Sequence, residues 1–459
     1  MSVLSELGEH FDRLRPEILR EPKEDSFIKK PYVVPGGYYE QLWDWDAYFI
    51  AHHLARRSEN PKPEYFRYLA ENFIHAYKEL GYPPACITQK KPTKDQERRK
   101  FTLKPFLAQA VLNGSAKKNF GWVKEIYDEL VEIVTRREKT NRDEKTGLFY
   151  WDNAMETGAD NNPAVSNSPD LEGLYLACDL NALQYEEYKA LSEIAWETGN
   201  ALHAAQFASA ASNIKKALQS HLWNAELGTF DNRRRDTGNF ANTITYSNYI
   251  PLWLGLGSQE QADSMFQKYL LDGDHMMSPW GCRSLSRQDR CYNNTNIIDP
   301  YSNWCGPIWP IANYFYFCAL VRYGYLAEAA TIARRVGRLV LDDIAVCGSM
   351  HENYDAETGK PLAPDKTQSK SGKEGGFIGW NLLVQDMLED VEAQSAAAPQ
   401  GLQSGSGMPL NAPVEPETNA ETSAPTEDPV TAPARPSVSL EDIKAAFRPK
   451  DQKKEEELY

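Results

Sequence analysis

Two carboxylates in unlike settings point to acid–base chemistry on a sugar. Asp160 lies in Glu156-Thr-Gly-Ala-Asp160-Asn161-Asn162-Pro163, and Glu352 lies far downstream in Met350-His351-Glu352-Asn353-Tyr354. Pro163 biases Asn162 away from helix, so the first loop should be stiff enough to aim a side chain. Trp43, Trp45, Trp151, Trp304, Trp309 and Trp380 all stand in Gly-, Pro- or Asp-rich junctions, which are usually loops rather than helix cores. An indole face packs on the apolar C–H face of a sugar ring, and acids take the hydroxyl edge. Cleaving a glycosidic bond needs one protonated acid at the leaving oxygen. A second carboxylate acts on water or on the anomeric carbon. A single Asp in a turn is ordinarily structural, and each tryptophan also reads as helix packing, so the weight rests on their occurring together.

Other chemistries find little support. The chain has no Gly-x-x-x-x-Gly-Lys-[Ser/Thr] phosphate loop, no Gly-x-Gly-x-x-Gly and no Gly-x-Ser-x-Gly elbow. His351-Glu352 lacks the second histidine of a His-Glu-x-x-His zinc helix, so neither a metal nor any other cofactor is expected. A net charge of −15 argues against nucleic acid as a partner. No apolar run approaches the roughly 20 residues that span a membrane. The start, Met1 to His10, shows no basic leader followed by an apolar stretch, and the seven cysteines have no C-x-x-C spacing. Reduced thiols in a cytoplasm are therefore expected.

The elements that must position these residues are helical. Pro63–Leu80, Trp122–Val134, Leu171–Trp196, Ala201–Leu222 and Ile311–Val340 carry apolar residues at spacings of three, four and seven. Sustained alternation is almost absent, so the expected fold is all-α, with about ten to twelve helices. An Asx-x-x-x-Gly turn recurs at Asp143–Gly147, Asn224–Gly228 and Asp355–Gly359, each past a helical stretch. Gly at the fifth place supplies positive φ. The recurrence suggests stacked helical hairpins.

Residues 1–392 are expected to form the folded domain. From 393 to 438 the chain is rich in Ala, Pro, Ser, Thr, Gly and Glu; nine of the 28 prolines fall at or beyond Ala393. Such a segment is expected to be a disordered linker. Within residues 439–459, Ser439 followed by Asp442 can cap a short helix, with Leu440, Ile443 and Phe447 on one face. That segment is either a docking helix for a protein partner or a charged tail. Gln89–Lys100 and Asp365–Gly375 are candidate mobile loops or plain surface loops.

Five motifs in order carry a family resemblance. Pro35-Gly-Gly-Tyr-Tyr-Glu-Gln-Leu-Trp43-Asp44-Trp45-Asp46-Ala-Tyr-Phe49 resembles the N-terminal signature of the trehalase and family 63 glycoside hydrolases. Gly158-Ala-Asp160-Asn161-Asn162-Pro163 resembles their general-acid loop. Trp304-Cys305-Gly306-Pro307-Ile308-Trp309 is similar to their Trp-x-Gly-Pro-x-Trp segment. His351-Glu352-Asn353-Tyr354 resembles the general-base motif, and Gly375-Gly376-Phe377-Ile378-Gly379-Trp380 the closing Gly-rich segment.

The resemblance implies an (α/α)6 barrel and an inverting α-glycosidase, with Asp160 as acid and Glu352 as base. Inversion implies carboxyls roughly 6.5–9.5 Å apart, so that water fits between them. Asp160 would need a raised pKa, through burial or a like-charged neighbour such as Asp46. The substrate-binding positions implied are Tyr39, Trp43, Trp45, Asp46, Lys104, Gln109, Gly158, Trp304, Trp309 and Trp380.

A compact core most resembles the mannosylglycerate and glucosylglycerate hydrolases, which implies a small α-glycoside substrate with an anionic aglycone. Lys104 is then the first candidate to meet the carboxylate, with Arg283, Arg287 and Lys373 behind it; each of these also reads as a solvated surface charge. A trehalase or α-oligosaccharide glucosidase is the nearest alternative, and a non-catalytic carbohydrate-binding barrel a further one. Cys305 stands where many relatives have Arg.

Overall fold

The computed structural model describes residues 2–37, 39–92, 101–115, 119–165, 172–295, 302–363 and 375–397. Twelve of the thirteen α-helices among the described residues build the architecture, the short Arg137–Thr140 aside. They are α1 (Val3–Leu14), α2 (Asp44–Ala55), α3 (Glu64–Leu80), α4 (Leu107–Gly114), α5 (Tyr127–Thr135), α6 (Cys178–Glu197), α7 (Ala201–Leu222), α8 (Ile250–Trp253), α9 (Gln259–Met265), α10 (Pro310–Arg322), α11 (Leu326–Cys347) and α12 (Leu382–Ala397). The even-numbered helices form an inner ring in chain order, which closes where α12 packs on α2; the odd-numbered helices lie outside it. This is an (α/α)6 barrel.

The side chains explain which helix goes where. In α2, ten of twelve residues are buried, and in α10, ten of thirteen. A helix apolar nearly all round has to be enclosed. Outer helices such as α1 bury one stripe, here Leu7, Phe11 and Leu14. Phe49, on α2, plugs the centre. Its ring lies 5.5 Å from Phe106 and from Phe315, 6.0 Å from Tyr314 and 6.1 Å from Trp253. Burying one such ring is worth about 1.5–3 kcal/mol.

Because inner and outer helices run in opposite senses, every outer-to-inner connection arrives at the end where the inner helices begin. These connections are long: 15–43, 81–106, 136–177, 223–249, 266–309 and 348–381. On the opposite rim the chain turns back within segments such as 198–200, 254–258 and 323–325.

The recurrent turn is present three times. Gly147, Gly228 and Gly359 have φ of 75°, 70° and 71°. Their N–H groups donate to the carbonyls of Asp143, Asn224 and Asp355 at 2.8, 2.7 and 2.8 Å. Each turn follows an outer helix and starts the walk toward the next inner one.

Three helical expectations are corrected. Ile311–Val340 is two helices, because Gly324 adopts φ of 82° and reverses the chain between α10 and α11. Leu171–Trp196 begins only at Cys178, since Tyr175–Leu176 is a short strand paired with Arg233–Arg234. Trp122–Val134 splits into a 3-10 turn, Gly121–Glu125, and then α5.

At the C-terminal end, α12 continues to Ala397, past the domain boundary expected at 392. The rest of the expected linker and all of 439–459 lie outside the described residues, as do Lys373 and most of the two candidate mobile loops. No described helix is long and apolar enough to cross a membrane. All seven cysteines are free thiols.

Candidate active site

The long-loop end of the barrel gathers the predicted residues. Trp45 and Asp46 lie in the first turn of α2. Lys104 precedes α4, Gly158 and Asp160 lie between α5 and α6, and Trp304 and Trp309 precede α10. Glu352 and Trp380 flank the approach to α12.

Burial pushes the Asp160 carboxyl above its ordinary range; the Ser302 donors and the Lys104 charge pull the other way. Burial, and not Asp46, is therefore what raises it. Its Oδ2 accepts from the Ser302 backbone N–H at 2.9 Å and from the Ser302 hydroxyl at 2.7 Å. The loop is held from behind: Trp304 N donates to Asn161 Oδ1 at 2.6 Å, and the Cys305 thiol to Asn161 O at 3.4 Å. Cys305 thus packs against the acid loop.

Burial also raises Glu352, to about 7; the Tyr39 hydroxyl and the His351 charge oppose this, and the Asp160 charge adds to it. Tyr39 donates to Glu352 Oε1 at 2.5 Å. The motif around Glu352 is anchored through Asp343 on α11. Asp343 Oδ2 accepts from the backbone N–H of His351 at 3.0 Å and from the Tyr354 hydroxyl at 2.9 Å, and lies 2.9 Å from His351 Nδ1. Among the described residues, Asp343, Cys347 and His351 hold ligand atoms within 4.8 Å of one another, as a metal site would. Asp343 and His351 already engage each other there.

Asp46 is raised to about 8 by burial first, then by the charges of Asp44 and Glu352, with Lys104 opposing. Lys104 sits among these acids. Its Nζ is 3.1 Å from Asp44 Oδ1, and its backbone N–H donates to Asp44 Oδ2 at 2.8 Å. The same ammonium lies 5.2 Å from the centre of the Trp45 ring. Gly158 leaves room for both: a Cβ there would meet Lys104 Cε at 2.7 Å and Trp45 Cζ2 at 2.8 Å.

The indoles form one cluster. Trp45 lies 6.0 Å from Trp304 and 5.8 Å from Trp380, and Trp304 stacks on Trp309 at 4.0 Å. Trp304 and Trp309 are each only 1% exposed. The stacked pair therefore backs the site as its floor and does not present an open face. Trp43 is half-buried at the N-terminus of α2, where its strand pairs with Cys86–Ile87.

Some expected residues go elsewhere. Gln109 donates its amide to Pro105 O at 2.8 Å and faces a separate groove of about 910 Å³, lined largely by residues of α6 and α7. No carboxylate or indole of the site lines that groove. Arg283 is buried and committed to Glu357 at 2.9 Å and to backbone carbonyls, while Arg287 sits 3.8 Å from the same Glu357. Trp151 donates to Asp179 Oδ1 at 3.0 Å, a packing role.

Three participants escaped sequence reasoning. Asp44 stands inside a recognisable motif and Ser302 two residues before one, but neither carries a signal of its own. Tyr246, whose ring lies 5.0 Å from Trp304, comes from a connection with no motif.

The comparisons agree with this fold. Residues 39–371 match the family model described as mannosylglycerate hydrolase MGH1-like glycoside hydrolase domain. A periplasmic trehalase of Citrobacter koseri is 25% identical over 332 residues, covering 61% of this chain and 57% of that protein. One from Escherichia coli O1:K1 is 21% identical, covering 61% and 58%. The chain thus spans less than two thirds of the length of these relatives.

Among solved structures, the family 63 mannosylglycerate hydrolase of Thermus thermophilus, in complex with glucose, superposes with a TM-score of 0.59 at 16% identity. The match covers 83% of this chain and 99% of that one. Neutral trehalase of Saccharomyces cerevisiae gives 0.58 at 17% identity, covering 81% and 78%. Chemistry-bearing loops on one rim of an (α/α)6 barrel, and a family model spanning most of the chain, lead to one assignment: this protein belongs to the mannosylglycerate hydrolase MGH1-like glycoside hydrolases.

Proposed function

We propose that the protein is an inverting α-glycosidase of a small α-glycoside such as glucosylglycerate or mannosylglycerate. The observation that carries the reading is the pair Asp160 and Glu352. Glu352 is buried and Asp160 partly buried, on separate loops of one rim, and the charge of Asp160 raises Glu352. Asp160 protonates the leaving oxygen as the anomeric C–O bond breaks. Glu352 removes a proton from water, whose oxygen attacks the anomeric carbon from the opposite face, so the released sugar has inverted configuration. Trp45 and Asp46 hold the sugar at the cleaved end.

Two observations favour a small anionic aglycone. Lys104 brings an ammonium beside Trp45 and Gly158, and an ammonium recognises a carboxylate. The chain also spans nearly all of the Thermus mannosylglycerate hydrolase but little more than half of the Citrobacter trehalase. That second trehalase-like match keeps trehalose and α-linked glucosides as the alternative substrates. Seven free thiols fit a reducing cytoplasm, whereas those curated relatives are named periplasmic; cell fractionation separates the two.

The test is NMR of anomeric protons with glucosylglycerate, mannosylglycerate, trehalose and maltose in parallel. Early β-sugar from one α-glycoside, lost in Asp160→Asn and in Glu352→Gln, is the expected result. Binding without turnover, unchanged in Asp160→Asn, would instead mark a carbohydrate-binding barrel.

A further inference from the structure

We propose that Ser302 is a positioning residue that fixes the transferable proton of Asp160 on Oδ1. The inference rests on the reading of Asp160 as general acid. Asp160 Oδ2 accepts two hydrogen bonds from the same residue, one from the Ser302 backbone N–H at 2.9 Å and one from its hydroxyl at 2.7 Å. A backbone N–H is an obligatory donor and never an acceptor. If the carboxylic acid carried its hydrogen on Oδ2, that oxygen would be a poorer acceptor for the obligatory Ser302 N–H, and the Ser302 hydroxyl would have to turn from donor to acceptor. The neutral acid therefore keeps Oδ2 as the carbonyl-type oxygen and carries its hydrogen on Oδ1. Oδ1 makes no hydrogen bond to any described residue, so its proton is left for the leaving oxygen.

The same two bonds act in the transfer. As the glycosidic C–O bond breaks, its electron pair goes to the leaving oxygen, the Oδ1 proton follows, and Asp160 becomes a carboxylate. Hydrogen bonds to a carboxylate are stronger than those to the neutral acid. The Ser302 donors thus tighten as charge develops and favour the transition state over the ground state. The backbone half of the arrangement survives any side-chain change; the hydroxyl half does not. The residue sits immediately before Asn303-Trp304, whose contacts to Asn161 tie the two loops together: Asn161 Nδ2 donates to Asn303 Oδ1 at 3.3 Å and Trp304 N donates to Asn161 Oδ1 at 2.6 Å. Their spacing is held independently of the Ser302 hydroxyl.

The test is a pH titration by infrared spectroscopy of the full-length protein, which needs no known substrate. The carboxylic C=O band of Asp160 is isolated as the difference between wild type and Asp160→Asn. In Ser302→Ala the band should move to higher frequency, because its C=O loses one donor. Its titration midpoint should rise, because the carboxylate loses one. Ser302→Thr should restore both, and Ser302→Cys, a weaker donor of similar size, should fall between. With whichever of the four glycosides wild type hydrolyses, Ser302→Ala should lower kcat about ten- to a hundredfold, the range for a hydrogen bond to a charged group, with KM nearly unchanged.

An unmoved band and midpoint in both Ser302→Ala and Ser302→Cys would overturn the inference. If Asp160→Asn is inactive while the band is unmoved, the hydrolase reading stands and this inference falls. If Asp160→Asn retains full turnover, the reading of Asp160 as acid falls first, and the band still reports where the proton sits.

Discussion

At the scale of single residues, the site is a set of acids whose burial is only partly offset. Glu352 must be ionised to act as a base, yet burial lifts it to about 7. The Tyr39 hydroxyl is the hydrogen bond that works against this. Tyr39→Phe removes a donor to the carboxylate, so the Glu352 pKa should rise. The acidic limb of kcat/KM should then move to higher pH, with activity near neutrality falling while activity at higher pH recovers. A limb that stays in place on a pH–rate profile would mean that Glu352 is not the base. Much of this site was legible in the sequence, because Asp160, Glu352, Trp45, Asp46 and Gly158 sit in motifs with distinctive neighbours. Ser302 was not, since a serine acquires meaning only from what its hydroxyl meets. Gln109 was misplaced for a related reason: a position on a helix does not reveal which side of the ring that helix will turn inward.

At the scale of elements, the loop from α5 to α6 approaches both Lys104 and Trp45 closely. Gly158 has φ of 83° and would place a Cβ within 2.7 Å of Lys104 and 2.8 Å of Trp45. Gly199, on the opposite rim, has a similar φ of 90° but nothing within 4 Å. Both substitutions to Ala strain the backbone, by about 1–3 kcal/mol. Only Gly158→Ala also displaces the ammonium and the indole. Turnover should therefore fall on the order of a hundredfold in Gly158→Ala and hardly change in Gly199→Ala, as steady-state kinetics on the two variants would check. Helix identity was legible from apolar spacing, but helix ends were not. The apolar pattern runs straight through Tyr323–Gly324, and only the positive φ of Gly324 reveals the reversal between α10 and α11.

At the scale of the molecule, buried carboxyls set how stability responds to pH. Burial raises Asp46 to about 8, Glu187, Asp231 and Glu352 to about 7, and Asp179 to about 6. A carboxyl whose folded pKa is raised binds its proton more tightly in the folded state, so it stabilises increasingly as pH falls through the folded value. His52, lowered to about 4 by burial, works in the opposite direction, but only below its unfolded value near 6.5. Between about pH 8.5 and 6.5 the carboxyls act alone among these groups, and Tm should rise as pH falls. Calorimetry across that window is the check; a Tm that is flat or falls on acidification would refute the balance. Closure of the ring has its own electrostatics. Burial would raise Asp386 on α12, but the charges of His53 on α2 and of Arg57 just beyond it outweigh that and hold the carboxyl below its usual range.

The two rims of the barrel differ in a way that bears on how such a protein can change. One rim is made of short reversals such as 198–200 and 323–325, and the other of six long excursions that carry Asp160, Glu352 and most of the indoles, beside the first turn of α2 with Trp45 and Asp46. Each excursion is rooted between two packed helices and contributes its own portion of the pocket wall. A new preference at the leaving-group side can therefore arise by replacing one excursion, while the helical scaffold and its tolerance to heat are inherited unchanged. Diversification in the laboratory should follow the same division, with randomised codons placed in 81–106 or 266–309 and none in the ring.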